Sequence, residues 1–377
     1  MSVKAPVKTG SAAAILAITL AAAAVGCGRG PAPSAHDASA RGAGHDVLTA
    51  SVVLDSGGHA WQLTAGNAVL VSTDAGRQWR SVQLPGRPAI GHSVVVSGST
   101  IAAVTVTSGG LAYQRSADGG ATWSTIAVRT QTPTDQASVA LSGDGQRVAV
   151  MAELPGSAGA GDLPELLIGP AGGPLTPVSA PVSGYIAWAG SQLVLTGGPL
   201  QSRLYTSGNQ GVSWTQRAVD GTLAPRFNVP PDIAGFGVPL PGPGASVTVP
   251  VTEHRGGSTI VRLYRSPDAI RYTPGTSVAL AGDIGAGVTA LVSPAGTGRY
   301  VIATPGSTRL HLVSGHSVTT INPAGLAGAI DSLTFSDASN GLAETTGNSC
   351  AGKANCRSTV QLYRTSDGGR SWERAAA

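Results

Sequence analysis

Leu362-Tyr363-Arg364-Thr365-Ser366-Asp367-Gly368-Gly369-Arg370-Ser371-Trp372 decides the fold, because the chain writes it several times. Ser72-Thr73-Asp74-Ala75-Gly76-Arg77-Gln78-Trp79 is one copy, and Ser116-Ala117-Asp118-Gly119-Gly120-Ala121-Thr122-Trp123 is another. Ser207-Gly208-Asn209-Gln210-Gly211-Val212-Ser213-Trp214 carries Asn in the Asp place. Leu263-Tyr264-Arg265-Ser266-Pro267-Asp268 keeps the front half and lacks the Gly and Trp. The shared pattern is S/T-x-D-x-G-x-x-W after a short apolar run.

The apolar run, Ala68-Val69-Leu70-Val71 or Val360-Gln361-Leu362-Tyr363, reads as a strand. An Asp or Asn side chain accepts hydrogen bonds from backbone N–H groups just ahead of it and closes a turn. The Gly supplies a positive φ. The Trp opens the next strand and brings a large apolar surface to a packing site. Trp79, Trp123, Trp214 and Trp372 are four of only six tryptophans, so most of the scarce indole area goes to this one slot. Each copy is predicted to be a β-hairpin with a pinned turn.

These copies resemble the Asp-box (BNR) repeat of sialidases, sortilin-type receptors and photosystem II assembly-factor-type propellers. The resemblance implies a β-propeller. It also implies that Asp74, Trp79, Asp118, Trp123, Asn209, Trp214, Asp268, Asp367 and Trp372 are structural residues at blade rims rather than catalytic ones.

Spacing sets the blade number. The acidic positions are separated by 44, 91, 59 and 99 residues in turn. Blades of four short strands recur every 40–50 residues or so, so each long gap hides one more blade. Glu165–Gly173 and Arg309–Gly315 are the candidates for the hidden copies. The expectation is an all-β, seven-bladed propeller of four-stranded antiparallel blades over residues 47–377. Six blades with one long insertion is the second choice. Pro225–Pro243 reads as the least regular part. Both termini complete their own blades, so blade 1 is expected to close the ring by packing on blade 7 without a shared strand.

Residues 1–26 combine Lys4 and Lys8 with an Ala-rich apolar core, the pattern of a secretory signal. Ala24-Val25-Gly26-Cys27 is similar to the lipobox of bacterial lipoproteins, with Ala24 where that family usually has Leu. The resemblance implies cleavage before Cys27 and lipidation of its thiol. The alternative is an ordinary signal and a chance Cys. Residues 27–46 are small, polar and rich in Pro and Gly, a flexible tether. The expected location is the outer face of the cell membrane, held by a lipid anchor, or secreted if the lipobox is not used.

Cys350 and Cys356 remain, an even pair that in an exported chain reads as a disulfide closing one loop. No metal-ligand spacing is evident, and no metal or cofactor is expected. The net charge is +4, without a Lys/Arg cluster, so nucleic-acid binding is unsupported.

Catalytic motifs are equally sparse. Gly285-Ala286-Gly287-Val288-Thr289-Ala290 fits G-x-G-x-x-A but leads into a predicted strand, which makes it a turn. A sialidase needs an arginine triad, because guanidinium forks bind carboxylates bidentately. The F/Y-R-I-P motif that supplies its first arginine is absent, and Pro225-Arg226-Phe227 is not it. His311 and His316 are expected at a solvent-facing hairpin. The candidate ligand face is the end opposite the boxes, with Arg226, Glu253, His254 and Arg255 as loop charges. The leading expectation is a monomeric, non-catalytic scaffold for a protein or cell-wall glycan ligand. The alternative is a sialidase-like hydrolase or glycan-binding propeller.

Overall fold

The computed structural model describes residues 52–375, apart from 56, 64–67, 85–86, 90–92, 98, 109, 129–135, 154–164, 199–201, 220–232, 256–257, 281–289, 305 and 351–355. The signal and tether, with Cys27, lie outside the described residues.

Seven antiparallel sheets follow one another along the chain. Blade 1 is Val52–Leu54, Ala60–Leu63, Ala68–Ser72 and Arg80–Gln83. Blade 2 has a first strand in two pieces, Arg87–Pro88 and Val94–Ser97, then Thr100–Thr107, Gly110–Ser116 and Ser124–Val128. Blade 3 is Gln136–Leu141, Arg147–Glu153, Glu165–Pro170 and Thr176–Ser179. Blade 4 is Gly184–Ala189, Gln192–Gly197, Arg203–Ser207 and Thr215–Gln216. Blade 5 again splits its first strand, into Ile233–Phe236 and Leu240–Pro241, and continues with Val247–Arg255, Ser258–Ser266 and Thr273–Leu280. Blade 6 is Leu291–Pro294, Arg299–Ala303, Leu310–Ser314 and Ser317–Ile321. Blade 7 is Ala329–Phe335, Gly341–Cys350, Cys356–Thr365 and Glu373–Arg374. The chain is therefore a seven-bladed β-propeller, and the six-bladed alternative is excluded.

Both long gaps hold the blade that the spacing requires. Glu165–Gly173 supplies the third strand of blade 3, and Arg309–Gly315 that of blade 6. Residues 225–232 of the Pro-rich run lie outside the described residues, and its remainder holds the broken first strand of blade 5. Its break at Gly237-Val238-Pro239 follows from chemistry: Pro has no N–H to give a ladder.

Burial follows strand rank. Ala68-Val69-Leu70-Val71-Ser72 is buried at every position, because the third strand is covered by a neighbouring blade on each face. Arg80-Ser81-Val82-Gln83, the fourth strand, is mostly exposed. The core is thus a series of inter-blade layers. One unites Val139, Val148 and Leu167 of blade 3 with Val104 and Tyr113 of blade 2. First strands of neighbouring blades touch from blade 1 to 2, 2 to 3, 3 to 4, 4 to 5, 6 to 7 and 7 to 1, which puts them at the centre of the ring.

Ring closure uses no exchanged strand among the described residues. Val52, Leu54 and Ala60 of blade 1 pack with Leu342, Leu362 and Ala375 of blade 7. Leu54 N donates to Thr334 Oγ1 at 3.3 Å, and Gln62 Nε2 to Glu344 Oε1 at 3.0 Å.

Candidate functional site

Each blade runs as a meander, so its first-to-second and third-to-fourth turns share one end of the ring. The second-to-third turns and the connections between blades share the other. The repeated motif occupies the first of these ends.

In blade 1, Ser72 is the hub. Its hydroxyl donates to Asp74 Oδ1 at 2.8 Å and accepts from Gly76 N at 3.0 Å. Asp74 Oδ1 also accepts from Arg77 N and Gln78 N, at 3.0 and 2.9 Å. Trp79 Nε1 then donates to Gly76 O at 3.1 Å. Blades 2 and 7 repeat the scheme with Ser116, Asp118, Gly120 and Trp123, and with Thr365, Asp367, Gly369 and Trp372. Asn209 accepts from Ser207 Oγ and Ser213 N as the Asp does. Its Trp214 differs, donating across to Ser179 O of blade 3.

Two successive residues in each full turn have positive φ. The first is Ala75, Gly119, Gln210 or Gly368; the second is Gly76, Gly120, Gly211 or Gly369. The second position is always Gly for a reason beyond φ. A Cβ there would come within 2.9–3.1 Å of an apolar side chain of the preceding blade: Leu342, Val71, Val178 and Leu310 respectively.

The worn copy in blade 5 is a shortened turn. Asp268 Oδ1 accepts from Ile270 N and Arg271 N, each one residue earlier than in the full motif. Ala269 takes the Gly place with φ 57°, and Tyr272 takes the Trp place, donating to Ala269 O at 3.3 Å. The sequence reading missed Tyr272. The signal was an aromatic four residues after the Asp rather than five.

Every one of these aromatics packs on the preceding blade near the end of its fourth strand. Trp79 shares a cluster with Ala375, Trp123 with Leu84, Trp214 with Ala180, Tyr272 with Val219 and Trp372 with Leu326.

The carboxylates at this end are held ionised. Hydrogen bonds from the Thr122 hydroxyl and N–H, and from Ser116, bring Asp118 down to about 2. Burial pushes Asp367 up, but hydrogen bonds from Ser371 and Thr365 outweigh it and leave it at about 2. Asp74 is lowered by the Gln78 N–H and the Ser72 hydroxyl, and Asp268 by the Arg271 and Ile270 N–H groups. First-to-second turns add Asp144, which accepts from Ser142 Oγ and Gln146 N, and Asp337, which accepts from Ser339 N and Asn340 N. The oxygens of this end are largely committed to the protein's own backbone.

The opposite end receives the candidate face, with a correction. Glu253 is not a loop charge. It lies in the second strand of blade 5, only 3% exposed, and its Oε1 accepts from Arg262 Nε at 3.0 Å and Tyr264 Oη at 3.2 Å. It is an internal pairing residue. His254 and Arg255 are the last two residues of that strand, where the chain reaches this end. Arg226 lies outside the described residues. Cys350 and Cys356 close the longest hairpin of blade 7 and are direct cross-strand partners in the backbone register. His311 also departs from expectation. It is 3% exposed, with Nδ1 3.0 Å from Thr320 Oγ1, and burial holds its pKa below the usual histidine value. His316 is exposed, as expected.

Among the described residues no group of three or more His, Cys, Asp or Glu side chains could hold a metal ion.

No protein-family model and no curated protein matches the sequence. Solved structures do. YCF48 bound to a D1 peptide is similar with a TM-score of 0.52 and 13% identity, covering 85% of this chain and 94% of that one. The Cps50 (Swd1) β-propeller domain of Myceliophteria thermophila is similar at 0.54 and 12%, covering 84% and 97%. An inactive virginiamycin B lyase from Staphylococcus aureus with quinupristin is similar at 0.55 and 10%, covering 84% and 95%. At these identities the likeness shows the propeller fold and nothing finer.

Proposed function

We propose that this chain is a lipid-anchored, extracytoplasmic propeller that binds a protein or cell-envelope partner without catalysis, through the end opposite the repeated turns. One observation carries the choice of end. At the repeated-turn end the Asp and Ser oxygens are engaged with local N–H and O–H groups, as Asp118 is with Ser116 and Thr122. The other end gathers the inter-blade connections, and loops on a rigid scaffold commonly carry recognition. YCF48, with a peptide bound, is one propeller of similar fold that engages a protein segment.

Lipidation at Cys27 would hold the ring at the membrane, with residues 28–46 as the spacer. A Cys350–Cys356 disulfide belongs to the same reading, since an exported chain meets an oxidising environment. Directly opposed strand residues have Cα atoms about 4.5–5.5 Å apart, within the range a disulfide spans.

The test is capture from envelope extracts by the full chain and two charge-reversal variants. Arg255→Glu should lose the captured partner, and Arg77→Glu, at the repeated-turn end, should keep it. Loss with Arg77→Glu alone would move the site to the other end. Cys27→Ser should release the chain from the membrane fraction. Turnover of a fluorogenic sialoside, abolished by Arg226→Ala, would favour the glycan-active alternative and defeat the non-catalytic reading.

A further inference from the structure

Blade 6 ends in the strand Ser317–Ile321, the outermost of its sheet. Ser317, Val318, Thr319 and Thr320 are exposed and Ile321 is half-buried. A bare strand edge is a template for another strand, and proteins blunt such edges with charge, Pro, bulges or short length. The other fourth strands carry these devices. Blade 1 has Arg80 and blade 3 has Pro177. Blades 4 and 7 keep only Thr215–Gln216 and Glu373–Arg374. Blade 5 has Pro274 and a register shift against its third strand. Ser124–Val128 of blade 2 sinks into the protein, where Val128 is buried. Ser317–Ile321 has no such protection, and its Val318 is 39% exposed.

The turn decides which backbone groups face outward. Gly315, with φ 60°, and His316 form a two-residue loop between the opposed residues Ser314 and Ser317. In such a hairpin the flanking pair exchanges both backbone hydrogen bonds, and bonded and non-bonded pairs alternate from there. Ser317, Thr319 and Ile321 therefore bond inward to Leu310–Ser314, and the N–H and C=O groups of Val318 and Thr320 point out. This spacing matches its own copy. Run antiparallel, Val318 of each copy meets Thr320 of the other, about a two-fold axis at Thr319. Ser317 then opposes Ile321, and Thr319 opposes itself. β-Branched and hydroxyl pairs of this kind favour sheets, and no like charges meet. We propose that two copies of this chain pair edge to edge through Ser317–Ile321, joining their sixth blades into one sheet, in place of the monomer expected from the sequence. One strand edge is a small interface beside the roughly 1,200–2,000 Å² of stable complexes, so the dimer is reversible and concentration-dependent. The edge lies on the outer rim and leaves both ends of the ring free for a partner.

The full chain with Cys27→Ser, which removes the lipid attachment point, is sedimented over a range of concentrations and should show a monomer–dimer equilibrium. Thr319 is exposed, so Thr319→Lys and Thr319→Glu leave the monomer intact but oppose like charges at the axis. Each should weaken the dimer about fivefold or more. Mixing the two variants should restore a dimer of one copy of each, which a misfolded variant could not give. Ser81→Lys, on the edge of blade 1, should change nothing. Monomer at every concentration would overturn the proposal and leave the edge to a strand of another protein. A dimer indifferent to charge at Thr319 would overturn it by placing the contact elsewhere. Weakening by both variants without rescue in the mixture would overturn the two-fold pairing.

Discussion

Gly76 of blade 1 lies against Leu342 of blade 7: a Cβ on Gly76 would come within 2.9 Å of Leu342 Cδ2. This contact joins the first blade to the last. The same pairing recurs where no ring closure is needed, as Gly120 on Val71 and Gly369 on Leu310. The repeated turn is therefore a clamp onto the preceding blade as well as a hairpin, and blade 1 uses it to shut the ring. Leu342 is fully buried. Leu342→Ala should cost about 2–4 kcal/mol of stability, as buried Leu truncations do. Backbone hydrogen exchange should rise in Ala60–Leu63 before it rises in Gln192–Gly197 of blade 4.

The Ser hydroxyl at the head of the motif holds the turn as firmly as the carboxylate. Ser116 is 1% exposed and its Oγ contacts Asp118 Oδ1, Asp118 N and Gly120 N. Ser116→Ala should cost about 1–3 kcal/mol, because buried N–H groups lose their acceptor. Asp118→Asn should be far milder at neutral pH. Asn209 already accepts from Ser213 N in the same place. Urea unfolding of the two variants checks the order.

Acid should weaken the ring through these same turns. Asp74, Asp118, Asp144, Asp268, Asp337 and Asp367 all have lowered pKa values in the folded protein. A depressed folded pKa means stability that is fully present above the unfolded value and lost as pH falls through the folded one. The unfolded value is about 3.9, and Asp118 and Asp367 reach about 2. The melting temperature should thus be insensitive to these groups at neutral pH and fall between about pH 4 and pH 2. Asp118→Asn combined with Asp367→Asn should flatten that part of the profile in thermal melts.

Tyr272 should behave as the tryptophan of its blade. Burial pushes its phenol well above the ordinary tyrosine value. Tyr272→Phe keeps the ring against Val219 and loses the bond to Ala269 O, a change of about 1 kcal/mol. Tyr272→Ala empties the seam between blades 4 and 5 and should cost about 3–5 kcal/mol, as large aromatic truncations do. Denaturant midpoints separate the two.

The repeated motif made the blade number legible, because its turn is local: Ser72, Asp74 and Gly76 bond within five residues of one another. Distance between copies then located the two blades without a motif. What escaped were features set by the neighbouring blade. Glu253 and His311 read as surface charges because nothing nearby in sequence shows what covers them. Tyr272 escaped because one deleted residue moved it out of the counted position. The demand for Gly at the second turn position has the same origin, since Leu342 is remote from Gly76 in sequence. Topology alone places Arg255 at the end opposite the repeated turns, whereas Glu253, two residues earlier, belongs to the interior.

Adjacent glycines of one turn test the clamp most directly. Gly119 and Gly120 both have positive φ, 68° and 90°, but a Cβ on Gly119 meets nothing within 4 Å while one on Gly120 meets Val71 at 3.1 Å. In urea unfolding, Gly119→Ala should cost about 1 kcal/mol, the left-handed penalty alone. Gly120→Ala should cost about 2–4 kcal/mol, because overpacking against blade 1 adds to that penalty. Equal costs at the two positions would mean that the turn acts within its own blade and that the contact with the preceding blade holds nothing.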